Sequence, residues 1–477
     1  MNKPELTQYL QKQILTTDDR LKKFTHSLAN KKYPKRFLFI KLQKYINDFL
    51  SKVSENKLVI IPGFRGVGKT TVVAQTCVEF KRRGFKVLFL SIEDAKNLFD
   101  IGINELMSAY EEILGENLES LKEPILIFLD EVQTDPKWTI TLKSLYEKTT
   151  KIFFCCTGFS AINLQNQATA NLARRAKFEP MTPMSFGEYQ MINKDIYPMS
   201  GLKEKIKQTI YFSSSADAVY RGLLKIQSEV NKYWSKIDRN DIKKYLSYGS
   251  LPFSSIMPDE VSIYNSISLL VEKIIQQDMP SLGSFDRDTL GAVKRILFAI
   301  AENDTTSLNT LENKFYINRL TIANIFDVLE KAELLIKISP HGSNMTIANK
   351  PNKYLFMSPA IRMSFFYFTG NESTYLVRQG KLLEDSVGGH LYREFILRSN
   401  GIIRYDSAQG GADFILQIGD KKKVVIEAGL GSKDKKQVIS TMQKVKSDYG
   451  IVFSKTELSF DKETNIITIP LDYYFLM

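Results

Sequence analysis

An α/β fold built on a parallel sheet covered on both faces is the expectation for the stretch 56–198, and three observations carry it. Short apolar runs alternate with helical patterns along the stretch. The runs, Leu58 to Ile61, Phe85 to Ile92, Ile125 to Leu129 and Lys151 to Cys156, are nearly unbroken rather than alternating. Strands buried on both faces need that pattern. A glycine-rich turn joins the first run to the first helix, which places a ligand at the carboxyl ends of the strands.

That turn reads Gly63-Phe64-Arg65-Gly66-Val67-Gly68-Lys69-Thr70 and matches G-x-x-x-x-G-K-[ST]. Glycines let successive backbone N–H groups converge on phosphate oxygens, and the helix from Thr71 to Arg83 adds its positive end. Gly63, Arg65, Gly66, Val67, Gly68, Lys69, Thr70 and Thr71 are therefore the expected cradle for the phosphates of ATP. Lys69 reaches the β- and γ-phosphates, and the Thr70 hydroxyl is a ligand for Mg²⁺.

Hydrolysis needs a second, acidic element. The run Ile125-Leu126-Ile127-Phe128-Leu129 ends in Asp130-Glu131. Asp130 is expected to hold Mg²⁺ through water, and Glu131 to orient and deprotonate the attacking water. The next strand ends in Thr157-Gly158-Phe159-Ser160. Thr157, with Ser160 second, is placed to read the γ-phosphate from the neighbouring strand. Arg174 and Arg175 precede Pro180 and Pro183, and an arginine there can stabilise transferring phosphate within the chain or across an interface.

Residues 1–55 read as a basic helical segment. Lys31, Lys32, Lys35, Arg36, Lys41 and Lys44 interleave with Tyr33, Phe37, Phe39 and Tyr45. Such a mixture suits nucleic acid, or an amphipathic helix packed on the next domain. Residues 199–282 lose the strand pattern and read as a helical lid, broken at Gly249-Ser250-Leu251-Pro252.

Residues 283–370 read as a winged helix. Leu290 to Ala301 and Leu308 to Lys314 are its first two helices; Ile322, Ile325, Phe326 and Leu329 mark the buried face of a third. Two strand-like pieces follow, Leu335 to Ile338 and Lys353 to Met357, with His341-Gly342-Ser343-Asn344 as the wing between them. A nucleic-acid reader would then use Asn318, Arg319, Thr321 and Asn324 at the start of the recognition helix. Plain packing is the other use of such a module.

Residues 371–477 read as a further α/β domain. A helix around Leu382 to Arg398 carries Glu384. Asp413 starts one strand after Gly410-Gly411-Ala412, and Glu427 ends the next.

The ordered segments Gly63 to Thr71, Leu129-Asp130-Glu131-Val132-Gln133, Thr157-Gly158-Phe159-Ser160, Leu172-Ala173-Arg174-Arg175 and Pro183-Met184-Ser185-Phe186-Gly187-Glu188-Tyr189 resemble the prokaryotic AAA+-type ATPases of the archaeal ATPase group. That group is typified by Pro-Leu-Ser-Phe-x-Glu-Tyr. The resemblance implies a P-loop NTPase with a helical lid, then a winged helix and a restriction-endonuclease-like domain. It matches Arg175 to the family arginine, with Arg174 where glycine is common. Glu384, Asp413 and Glu427 then resemble the acidic framework of such nucleases, in which carboxylates hold Mg²⁺ to activate water. A lysine normally stands two residues after the second strand acid. Gly429 stands there instead, leaving Lys433, Lys435 or Lys436 as replacements or the site degenerate.

The 477 residues are 43% hydrophobic, ordinary for folded chains, with a formal charge of +12. The charge points to an acidic partner, with nucleic acid first, or to a solvated lysine-rich surface. Three cysteines and three scattered histidines offer no disulfide framework, zinc site or nucleophile–base pair. A cytoplasmic location and no membrane partner are expected, and a homo-oligomer is left open. The functions left standing are an ATPase acting on nucleic acid in genome defence or mobile-element control, a switch ATPase gating a protein partner, and an ATP-regulated metal-dependent nuclease.

Overall fold

The computed structural model describes residues 3–27, 29–303, 305–367, 374–399, 401–429 and 435–477. The chain divides into two compact units, Met1–Thr182 and Pro183–Met477.

The first unit opens with α1 (Lys3–Leu15), α2 (Thr17–Thr25) and α3 (Phe37–Leu50). Leu6 and Leu10 one turn apart bury α1; Phe39, Leu42 and Ile46 bury one face of α3. Then follow β1 (Leu58–Gly63), α4 (Lys69–Arg82), β2 (Lys86–Ser91), α5 (Ile92–Phe99), α6 (Ile103–Leu114), β3 (Ile125–Asp130), α7 (Trp138–Lys148), β4 (Ile152–Phe159), α8 (Ala161–Leu172) and the two-residue β5 (Lys177–Phe178).

The strands form one parallel five-stranded sheet in the order β2-β3-β4-β1-β5. β1, β3 and β4 are buried at every position, as their unbroken apolar runs predict. Leu58, Leu88, Ile127 and Phe154 share a core with Leu10 of α1, Met107 of α6 and Trp138 of α7. Ile61 pairs with Thr157, and Leu129 with Cys156. The glycine turn after β1, the acids after β3 and Thr157 in β4 therefore meet at one sheet edge. β5 escaped the sequence pattern because two residues show no periodicity.

The second unit begins with α9 (Phe186–Lys194), α10 (Leu202–Phe212), α11 (Ala216–Trp234), α12 (Asn240–Lys244), α13 (Glu260–Lys273) and α14 (Met279–Leu282). The Ser-Phe-x-Glu-Tyr segment has a physical reading here. Ser185 and Glu188 form a capping box at the start of α9. Phe186 stacks on Trp234 with centroids 5.6 Å apart and packs against Tyr245 and Phe475.

Next come α15 (Arg287–Glu302), α16 (Leu308–Phe315), α17 (Arg319–Lys331), β6 (Leu335–Pro340), α18 (Asn344–Asn349), β7 (Lys353–Phe356), α19 (Pro359–Tyr367) and α20 (Thr374–Leu391). Ser343 caps α18 through the Thr346 N–H, so the expected wing holds a short helix rather than an open loop. The chain ends with β8 (Ile402–Tyr405), β9 (Phe414–Ile418), β10 (Lys422–Ala428), α21 (Lys436–Val445), β11 (Tyr449–Ser454), β12 (Ser459–Asp461), β13 (Ile466–Pro470) and α22 (Leu471–Phe475).

The antiparallel pair β6–β7 is not a separate ribbon. Ser339 and Pro340 of β6 pair with Arg404 and Tyr405 of β8, giving an eight-stranded sheet ordered β12-β13-β11-β10-β9-β8-β6-β7. Val438, Met442 and Val445 of α21 cover it, against Ile415, Val425 and Val452. Among the described residues, no helix is long and apolar enough to cross a membrane.

Candidate functional site

The glycine turn is shaped by backbone limits. Gly63 has φ of +153°, and a Cβ there would stand 2.1 Å from the Met181 carbonyl oxygen. Gly68 takes φ 88° as the N-cap of α4. Only glycine meets both conditions without strain. Lys69, the first residue of α4, is buried and donates to the carbonyls of Gly63 (2.8 Å) and Phe64 (3.2 Å). Arg65, Gly66 and Thr71 border the same turn at part-buried or exposed positions, and Val67 is buried.

The acids meet this turn. The Thr70 hydroxyl donates to Asp130 Oδ1 and Oδ2 at 3.1 and 3.0 Å. Thr157 also donates to Asp130 Oδ1, and its hydroxyl accepts the Glu131 N–H at 3.1 Å. Glu131 sits in the left-handed region, φ 56° and ψ 51°, which turns the chain sharply out of β3. Gln133 Nε2 donates to Glu131 Oε2 at 2.7 Å, and Gln133 Oε1 accepts the Phe159 N–H at 3.3 Å. Burial, then the Glu131 charge, push the Asp130 carboxyl up to about 6, against the hydrogen bonds from Thr157 and Thr70 and the charge of Lys69. A buried carboxylate beside a threonine hydroxyl, short of positive charge, is suited to a divalent cation, so Thr70 and Asp130 fit Mg²⁺. Lys69, Thr70, Asp130, Glu131 and Thr157 are thus brought together. Ser160 is turned away: its hydroxyl accepts the Asn163 N–H and caps α8.

Arg174 and Arg175 are not brought to the turn. α8 carries the chain back across the sheet, and Lys177 then pairs with Val59 near the start of β1, whereas the turn follows its end at Gly63. Arg174 is exposed. Arg175 donates to Glu147 Oε1 at 2.5 Å and to the Asn171 carbonyl at 3.4 Å. Both arginines therefore follow the end of α8, beside the start of β1 and not beside the glycine turn.

Two further residues bear on this site. Gln133 lay in the quoted Asp-Glu-Val-Gln stretch, two residues beyond Glu131. Arg36 lay inside the basic N-terminal cluster with nothing to single it out. Its buried guanidinium donates to the carbonyls of Val67 (2.9 Å) and Thr182 (3.0 Å). Gln75 of α4 holds the same segment by donating to the Tyr33 carbonyl at 2.9 Å.

In the second unit the three predicted acids do converge. Asp413 Oδ2 accepts the Ala428 N–H, and Glu427 Oε2 accepts the Asp413 N–H, both at 3.1 Å. Lys353 of β7 lies between Asp413, 3.3 Å away, and Glu384, which it pairs with closely. Glu427 is 1% exposed. The expected replacements for the missing lysine stand elsewhere. Lys435 pairs with Asp461 at 3.3 Å, Lys436 opens α21 at an exposed position, and Lys433 lies outside the described residues. Lys353 was legible only as a lysine in an apolar strand. Among the described residues, no three His, Cys, Asp or Glu side chains form a group able to hold a metal by themselves.

α17 presents Arg319 and Asn324 exposed and Thr321 half-buried. Asn318 caps the helix, its Oδ1 accepting the Thr321 N–H at 2.8 Å, so its side chain serves the backbone. Cys77, Cys155 and Cys156 are buried free thiols, pushed up in pKa chiefly by burial.

The model of an AAA domain matches residues 55–190. The uncharacterized protein MJ1637 of Methanocaldococcus jannaschii is 35% identical over 453 residues, spanning 94% of this chain and 90% of that protein. Among solved structures, the Orc1 protein of Aeropyrum pernix in complex with DNA aligns with TM-score 0.33 and 10% identity, over 71% of this chain and 92% of that one. A RuvB variant of Thermotoga maritima aligns with TM-score 0.29 and 13% identity, over 62% and 87%.

Proposed function

This chain belongs to one family with the uncharacterized Methanocaldococcus protein and carries an AAA domain over residues 55–190, and on that premise we propose that it is an Mg²⁺-dependent ATPase that acts on nucleic acid. The observation that carries the ATPase reading is the hydrogen-bonded set of Thr70, Asp130, Thr157 and Glu131 beside the glycine turn. Backbone amides of residues 63–71 and the Lys69 ammonium hold the phosphates. Lys69 leaves its carbonyl partners to do so. Thr70 and Asp130 hold Mg²⁺, which when bound neutralises charge on the phosphates. Glu131, aimed by Gln133, orients the attacking water and takes its proton. Thr157 fixes Asp130 and the Glu131 backbone together.

Arg174 and Arg175, far from this chain's own turn, suit action on a nucleotide held by a second copy, which makes a homo-oligomer part of the reading. The nucleic-acid part is supported by the charge of +12 and by α15, α16 and α17 followed by the β6–β7 hairpin, the order of a winged helix. Arg319, Thr321 and Asn324 are its reading residues.

ATP turnover of the native chain, Lys69→Ala and Glu131→Gln, each with and without DNA, tests both parts. Lys69→Ala is expected to lose ATP binding and turnover. Glu131→Gln is expected to bind ATP and lose turnover by about a hundredfold or more. Native-like turnover in Glu131→Gln would overturn its role. Turnover indifferent to DNA, with no DNA binding at low salt, would favour a switch that gates a protein partner.

A second reading is favoured by Lys353. The restriction-endonuclease-like reading is supported by Lys353 of β7, which pairs with Glu384 and Asp413 and would take the part of the lysine absent at Gly429. Under this reading the acids hold Mg²⁺ and the chain cuts a phosphodiester. Cleavage with Mg²⁺ or Mn²⁺ that disappears in Asp413→Ala while ATP turnover persists would support it. No cleavage of any nucleic acid would remove it.

A further inference from the structure

We infer that the cavity between α13, α15, α16 and α19 receives an unstacked base of a single-stranded nucleic acid. This rests on the nucleic-acid reading above and names the form of the ligand. The cavity holds about 530 Å³ and is walled by the rings of Phe298, Phe315 and Phe365, with Lys294, Arg295 and Lys314 at its border. The three rings are half-buried, whereas the helix core beside them, Val293, Ile296 and Leu297, is closed to solvent. The Arg295 guanidinium lies 5.8 Å and the Lys314 ammonium 5.7 Å from the Phe315 ring centroid. Lys294 is already paired with Glu272 at 2.5 Å, so Arg295 and Lys314 carry the available charge.

Aromatic faces with cations at their rim match both halves of a nucleotide. The rings stack on the base and the cations meet its phosphate. A base inside a duplex must first be unpaired and unstacked, at a cost of about a few kcal/mol, so a single strand offers one to a recess between helices most readily. The surface next to the cavity continues the pattern. Tyr316, directly after Phe315, holds a left-handed φ of 58° and is 94% exposed. Arg319 is exposed, and Leu320 is 83% exposed, on the first turn of α17. An aromatic ring left in water by a strained residue is a second platform for a strand leaving the cavity.

The test uses the full chain and fluorescence anisotropy with a labelled oligo-dT and with a duplex, together with ultraviolet crosslinking of an oligonucleotide carrying 5-iodouracil. Phe315→Leu keeps apolar volume but removes the stacking face. It is expected to weaken oligo-dT binding about tenfold and leave duplex binding unchanged. Arg295→Glu with Lys314→Glu is expected to weaken it further and flatten its salt dependence. Crosslinks are expected on peptides holding Phe298, Phe315 or Phe365. Unchanged oligo-dT affinity in Phe315→Leu, or crosslinks confined to other peptides while DNA still binds, overturns the cavity assignment and leaves the nucleic-acid reading standing. Equal weakening for a poly-glutamate peptide reassigns the cavity to an anionic peptide and overturns the base. No binding of any DNA at low salt overturns the reading beneath it.

Discussion

Burial raises the pKa of the Asp130 carboxyl, which makes its ionisation a test of the site. Its pKa is raised by burial first and by the Glu131 charge second, to about 6 from 3.8. A carboxyl raised in the folded state binds its proton more tightly there than in the unfolded chain. The stability this contributes is full below about pH 4 and is lost as pH rises through about 6. Cation binding runs the other way, because Mg²⁺ requires the ionised form. Calorimetry should find Mg-ATP affinity falling roughly tenfold between about pH 7 and pH 5, while the nucleotide-free chain gains stability over the same interval. Asp130→Asn should abolish the stability change and bind Mg-ATP weakly at both values. The residues of this site were legible because phosphate chemistry restricts both residue type and spacing. Gln133 was not, since an amide that aims a carboxylate has no fixed motif. For Arg174 and Arg175 the choice between action within the chain and across an interface was not legible, because adjacency to a motif in sequence says nothing about the end of the sheet at which a helix deposits them.

Elements show a different division. Long apolar runs fixed β1, β3 and β4, and the i, i+3, i+4, i+7 pattern placed α17, since burial on one face leaves a period in the sequence. β5 and β12 left none, being two and three residues long. The segment before β1 was readable as a helix, but not as a brace. Arg36 ties it to the carbonyls of Val67 and Thr182, and α3 adds Lys41 at 3.1 Å from Glu179. Arg36→Ala removes a charged donor from two buried carbonyls, at a cost of about 2 kcal/mol. The expected outcome is a lower denaturant midpoint together with weaker ATP binding, because the loosened carbonyl belongs to the phosphate-binding turn itself. A loss of stability with unchanged ATP affinity would confine Arg36 to packing.

At the scale of the molecule, two units with separate cores are expected to melt in separate transitions. ATP at a hundredfold over its Kd should raise the transition of residues 1–182 by about 2.7 kcal/mol and leave the other unmoved. The second unit has its own weak point. Arg362 and Asp385, both fully buried, share two hydrogen bonds of 2.5 and 2.8 Å. Arg362 also donates to the Ala301 carbonyl at 2.9 Å, and Asp385 accepts the Phe356 N–H at 2.9 Å. This joins α15, α19, α20 and β7. Arg362→Met strands a buried carboxylate and should cost about 3–5 kcal/mol, read by scanning calorimetry in the second transition alone.

The continuity of β6 and β7 with the strands beyond them bears on how the chain can be cut for study. A fragment starting at residue 374 keeps Glu384, Asp413 and Glu427 but discards Lys353, and it strips β8 of a neighbour. Glu384 and Asp413 would then lose the ammonium that both pair with. The unsheltered strand would invite self-association. Metal affinity or aggregation measured on such a piece would describe the amputation, and the uncut chain is the one to measure.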